Sequence, residues 1–286
     1  MYGLNGYANN IQNLYKLISP FLDKNSIRTS NDLKEPYIQF LNKYQSKIHL
    51  DSSFDLIVRE PNRALELAGA FSASQINDLS QESMVGKFYE GADRKVCEGL
   101  VQNALNHLSE LNPEARDLLN LVVHSILICG SNLNSSGLRA YGGTSSKCIG
   151  LMWLSLRENL SIQDVIELLI HEMTHTLIFL DEFSHPQFNY SALFRKENWA
   201  QSSILMRPRP MDKVVHSIIV AFEVLYAREN YLKNADRLQV HPPSEKIKEN
   251  IRLSIESVKS HPNLEKICKP RALELISKVE SRLNHI

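Results

Sequence analysis

The feature that most constrains this chain is a helix-forming run with almost no polar face. Val165, Ile166, Leu168, Leu169, Ile170, Met173, Leu177 and Ile178 cover most of a helical circumference. A helix that apolar is buried on most sides, so the rest of the chain must pack around it. Set into the run are His171, Glu172 and His175, in the pattern His-Glu-x-x-His. Residues i and i+4 share one helical face, so the two imidazoles can grip one metal ion from a rigid base. Glu172 is rotated by about 100° from His171 and can reach a metal-bound water without being a ligand. Burying these three side chains without partners would cost several kcal/mol, which a bound metal offsets.

The flanks fit this placement. Ser161 and Asp164 have the spacing of a capping box, which starts the helix. The apolar run Lys147 to Leu156 reads as a strand, and Arg157 to Leu160 as a turn. A strand beside a metal helix can pair with an extended peptide, so this strand is expected at a sheet edge over the cleft.

Composition bounds the class. At 286 residues, 43% hydrophobic and 22% charged, the chain has the make-up of a soluble globular protein. Its formal net charge is zero, which gives no nucleic-acid or membrane-surface footprint. No apolar run reaches the length of a membrane span, and the N-terminus lacks the pattern of a signal peptide. Cys97, Cys129, Cys148 and Cys268 are scattered without paired spacing, as expected for reduced thiols in a cytoplasmic protein.

Elsewhere the pattern is mainly helical. Helical spacing marks Asn10 to Asp23, Ala92 to Leu111, Ser244 to Ser260 and Pro270 to Leu283. Leu121 to Cys129 is compatible with a strand or a buried helix, and His124 within it reads as a hydrogen-bonded core histidine. Gly130 to Ser146, rich in Gly, Ser and Asn, reads as a loop. Asp181 to Lys213 has little periodicity but carries five aromatic side chains, which argues for order. Arg207-Pro208-Arg209-Pro210 should be extended, because a residue before proline is pushed to β or polyproline geometry. A second apolar helix follows from Pro210 to Leu232, with His216 and Glu223 on one face. The expected fold is α+β and mainly helical, with a zincin-like metal helix beside a small sheet. Residues 1–115 form an N-terminal helical region and 116–286 a metal-binding catalytic region, possible parts of one continuous domain.

Two histidines are too few for a catalytic metal, which usually has three protein ligands and an open position. The pattern His-Glu-x-x-His-x-x-Gly-x-x-His would need a glycine at 178 and a histidine at 181, where this chain has Ile178 and Asp181. A glutamate from a later helix would be Glu197 or Glu223, and a third histidine would be His216.

The run from Gly150 through the motif helix, followed by Arg209-Pro210 and then His216, resembles the HExxH-type peptide-modification proteins. The resemblance covers roughly residues 145 to 230. It implies an iron(II)- and 2-oxoglutarate-dependent β-hydroxylase of a ribosomally made precursor peptide. It also implies iron held by His171, His175 and His216. Arg209, with Arg207 as its nearest competitor, suits the distal carboxylate of 2-oxoglutarate through its planar fork. Three neutral histidines suit zinc equally, so the alternative is a zinc metallopeptidase with Glu172 as general base. A coordinatively closed, metal-stabilised binding protein is the non-enzymatic alternative.

Overall fold

The motif helix spans Ile162–Ser184 and begins at a complete capping box. Ser161 Oγ accepts from the Asp164 amide at 3.1 Å, and Asp164 Oδ2 accepts from the Ser161 amide at 2.9 Å. The computed structural model describes residues 1–23, 27–45, 48–51, 55–71, 84–133, 137, 139–156, 159–232 and 238–286. Arg157 in the expected turn and part of the expected Gly130 to Ser146 loop lie outside the described residues.

Around the motif helix the architecture is α+β and mainly helical, with a small mixed sheet. The helices Tyr7–Ile18, Gly91–Leu111 and Met211–Asn230 pack against it on different sides, and the sheet covers another. This surround explains why the run from Val165 to Ile178 needs no polar face.

The sheet contains β1 (Val85–Phe88), β2 (Ser125–Ser131), β3 (Gly142–Ser145) and β4 (Cys148–Leu154) in the order β1-β2-β4-β3. β2 and β4 are parallel at the centre, and the outer two strands run antiparallel to their neighbours. Both central strands are buried almost throughout, which is why they read as continuous apolar runs without alternation. A second, two-stranded antiparallel ribbon joins β5 (Trp199–Gln201) to β6 (Pro208–Pro210), so the last three residues of the Arg-Pro-Arg-Pro stretch are extended, and Arg207 lies in the bend before them.

Three expectations need correction or completion. β4 is the expected strand, but it lies between β2 and β3 and offers no free edge to a peptide. The strand at the edge beside it is β3, which falls within the stretch read as a loop. Its Gly-Gly-Thr-Ser sequence has little intrinsic strand tendency. Pairing with β4 imposes the conformation, and glycine is needed for the close approach. A Cβ on Gly143 would stand 2.6 Å from Trp153 Nε1. The ambiguous stretch from Leu121 divides, with helix Pro113–Val122 ending before β2 begins at Ser125.

His124 is held in the core by Ser125 Oγ at 2.9 Å and the Ile149 carbonyl at 3.1 Å. Gly150 crosses it at φ 85°, where a Cβ would meet both His124 Cδ2 and the Val122 carbonyl at 2.8 Å. Lys34 Nζ donates to the carbonyls of Asn120, Leu121 and Val123 at 2.6, 3.1 and 2.6 Å. It thereby closes the C-terminal end of helix Pro113–Val122, where a cation is favoured. All four cysteines are free, and three are buried. Among the described residues, no helix is long and apolar enough to cross a membrane.

Candidate metal centre

From Asp164 to Asp181 the motif helix is buried except at His171, His175 and Phe179. These three are one turn apart and make a single stripe. The stripe faces a cavity of about 1810 Å³. β3 and Trp153 form one wall, and His241 with its neighbours Val240 and Pro242 forms another. The bend before β6, β6 itself and the start of helix Met211–Asn230 contribute Arg207, Arg209, Lys213 and His216. Helix Pro61–Ala70 and β1 line the far side.

His171, Glu172 and His175 each offer a ligand atom, all within 4.8 Å of one another. Glu172 Oε1 lies 3.9 Å from His171 Nε2. Glu172 is buried, and its Oε2 has no hydrogen-bond partner. Burial pushes this carboxyl up to about 8, against the opposing hydrogen bond from Thr144 on β3. A buried carboxyl oxygen left without a partner beside two imidazoles fits a site built for a cation, whose charge would hold Glu172 ionised. β3 passes so close over Glu172 that a Cβ at Gly142 would be 3.0 Å from Oε1.

His216 lies in the second turn of its apolar helix with its ring against His175. The two Nδ1 atoms are 3.3 Å apart. Metal–nitrogen bonds of about 2.0–2.1 Å at a tetrahedral angle separate two ligating nitrogens by about 3.3–3.4 Å, so this spacing suits a shared cation. Burial lowers His216 to about 3, and it holds His171 and His175 well below the usual histidine range. All three rings are therefore neutral, the form that ligates. His216 adjoins His175 and is not part of the 4.8 Å group.

Arg209 is buried on β6 opposite Ala200, and its field, with that of Lys213, helps depress His175 and His216. Arg207 and Lys213 are half-buried on the same wall. The sequence places both arginines at the co-substrate and marks Lys213 only as one of the basic residues of the stretch from Asp181.

The other candidate ligands lie elsewhere. Asp181 is paired with Arg271 at 2.5 Å and with Gln187 at 3.0 Å. Glu223 accepts from the amides of Gly3 and Leu4 at 2.6 and 2.8 Å. Glu197 is exposed and does not line the cavity.

Sequence reasoning missed His241, whose Nε2 is 2.8 Å from His171 Nδ1. The sole local signal is a histidine immediately before Pro242 and Pro243, which restrict the backbone there. No protein-family profile and no curated protein matches this chain.

Proposed function

We propose that this chain is an iron(II)- and 2-oxoglutarate-dependent enzyme that hydroxylates the β-carbon of a residue in a ribosomally made peptide. The observation that carries the reading is the cationic wall, Arg207, Arg209 and Lys213, in the same cavity as three neutral histidines. A dicarboxylate co-substrate needs both features. One end chelates a metal, and the other needs a cation in a desolvated pocket. The cavity also exceeds the usual size of a small-molecule site, about 300–1000 Å³, and leaves room for a peptide segment.

In this reading His171, His175 and His216 hold the metal, and Arg209 receives the distal carboxylate. Bound iron supplies the oxygen activation. Overall, one oxygen atom of O2 enters the peptide C–H bond as hydroxyl, and the other enters succinate as 2-oxoglutarate loses carbon dioxide. Glu172 accepts or holds a proton beside the metal, with its carboxyl positioned by Thr144. β3 screens this pair from solvent. A cytoplasmic location accompanies the reading and is supported by the four unpaired cysteines.

Glu172 favours a second reading. A carboxyl raised by burial, beside two candidate ligand histidines, suits a general base once the charge of a bound metal holds it ionised, as in a zinc metallopeptidase. Calorimetry under anaerobic conditions separates the two. The iron(II)-loaded protein should bind 2-oxoglutarate in the micromolar range, and the zinc-free apoprotein should bind it far more weakly. Equal, negligible binding to both forms would reject the oxygenase reading.

A further inference from the structure

Glu167, His241 and His171 form a hydrogen-bonded line into the cavity, and Arg228 closes its outer end. Glu167 lies one turn before His171 on the motif helix and is fully buried. Arg228, from helix Met211–Asn230, donates to Glu167 Oε2 from Nε at 2.6 Å and to Oε1 from Nη2 at 2.9 Å. His241 Nδ1 stands 2.7 Å from Glu167 Oε1. Burial raises the Glu167 carboxyl, but the bonds from His241 and Arg228 more than reverse this, so it is an ionised acceptor.

The chain of donors then follows. An ionised carboxylate only accepts, so His241 Nδ1 carries the proton toward Glu167. The other nitrogen of His241, Nε2, faces His171 Nδ1 at 2.8 Å, so a single proton is shared between the two rings. A metal held by Nε2 of His171 requires the proton of that ring on Nδ1, from which it donates to His241 Nε2. That leaves the lone pair of His171 on Nε2, the atom next to Glu172.

The segment around His241 is fastened at several points. The Gln239 amide donates to Asp164 Oδ1 at 2.6 Å, and Gln239 Nε2 donates to the Asn159 carbonyl at 2.9 Å. Arg228 Nη1 donates to the Pro242 carbonyl at 2.8 Å. Asp164 also caps the motif helix, so one side chain fixes both the start of that helix and the approach of His241. The 2.8 Å separation from His171 is a hydrogen-bond length, shorter than the roughly 3.3–3.4 Å between two nitrogens on one tetrahedral metal.

We infer that His241 is a positioning residue of the metal centre. It accepts the Nδ1 proton of His171 and so presents the Nε2 lone pair of His171 to the metal. This role presupposes the metal centre proposed above. The geometry assigns it without reference to the metal's identity or to the reaction.

The test has two parts. Long-range proton–nitrogen correlation spectra of histidine-labelled, metal-free protein report the tautomers directly. Both His171 and His241 should carry the proton on Nδ1. A proton on Nε2 of His171 would overturn the role without any variant having to fold. Zinc(II) affinity is then measured by chelator competition. His241→Phe should weaken it by about ten- to a hundredfold, the usual effect of losing such a partner. His241→Gln, whose amide oxygen accepts the same proton, should recover most of that loss. If His241→Phe abolishes binding as fully as His171→Ala and His241→Gln gives no rescue, His241 is a ligand and the positioning role is wrong. Unchanged affinity in His241→Phe with the expected tautomers would overturn the role alone. Failure of the parent protein to bind zinc(II) or iron(II) would overturn the metal centre itself.

Discussion

At the scale of single residues, His216 and Glu223 make opposite predictions although they share a helix face. His216 meets His175 in the cavity, whereas Glu223 holds backbone amides near the N-terminal helices. His216→Ala should lose most bound metal, and Glu223→Gln should keep it, as read by metal analysis after desalting. The reverse pattern would place a carboxylate in the ligand set. Arg209→Ala should raise the 2-oxoglutarate requirement for succinate formation at least tenfold and leave metal content unchanged. Arg209→Lys should recover only part, because lysine lacks the planar fork. Unchanged co-substrate dependence in Arg209→Ala would reject its role. His171, Glu172 and His175 were legible in the sequence because one helical turn fixes their geometry. His241 was not, since only tertiary packing carries it from beyond the second apolar helix to His171.

At the scale of elements, the motif helix depends on its cap and the sheet on its glycines. Ser161→Ala removes one side of the capping box and should cost about 1 kcal/mol in denaturant unfolding. Gly150→Ala places a Cβ against the Val122 carbonyl and the His124 ring at a positive φ, and should cost about 1–3 kcal/mol. A loss below a few tenths of a kcal/mol in Gly150→Ala would show that this crossing relaxes freely. The capping box, the apolar central strand and the two long apolar helices all announced themselves, because local chemistry and burial agree there. β3 did not. A Gly-Gly-Thr-Ser stretch carries turn chemistry, and its strand geometry comes from pairing with β4 and close contact with Trp153. The order of strands was equally hidden, because an apolar run is compatible with either a central strand or a covered edge. Pro208–Pro210 was readable as extended, since proline restricts the residue before it, whereas the bend at Arg207 was not.

At the scale of the whole molecule, the cavity is assembled from segments far apart in the chain. Helix Pro61–Ala70, β1, β3, the motif helix, β6 and the His241 segment all reach it. Metal binding should therefore stabilise the fold as a unit. A metal at a hundred times its dissociation constant adds about 2.7 kcal/mol when the unfolded chain does not bind it. Chelator treatment should accordingly lower the melting temperature by several degrees, and re-addition of iron(II) should restore it. The mainly helical α+β class followed from patterning alone, whereas the cavity walls did not, because they depend on contacts that no local pattern encodes.

The proposed function requires these histidines to hold iron for a 2-oxoglutarate-dependent reaction. The most direct measurement is metal analysis of protein purified without oxygen, combined with succinate formation on adding oxygen and 2-oxoglutarate. Iron is expected at about one per chain. Succinate should appear only with 2-oxoglutarate and fall in His171→Ala. Bound zinc that sustains peptide cleavage, with no succinate formed, would contradict the proposed function.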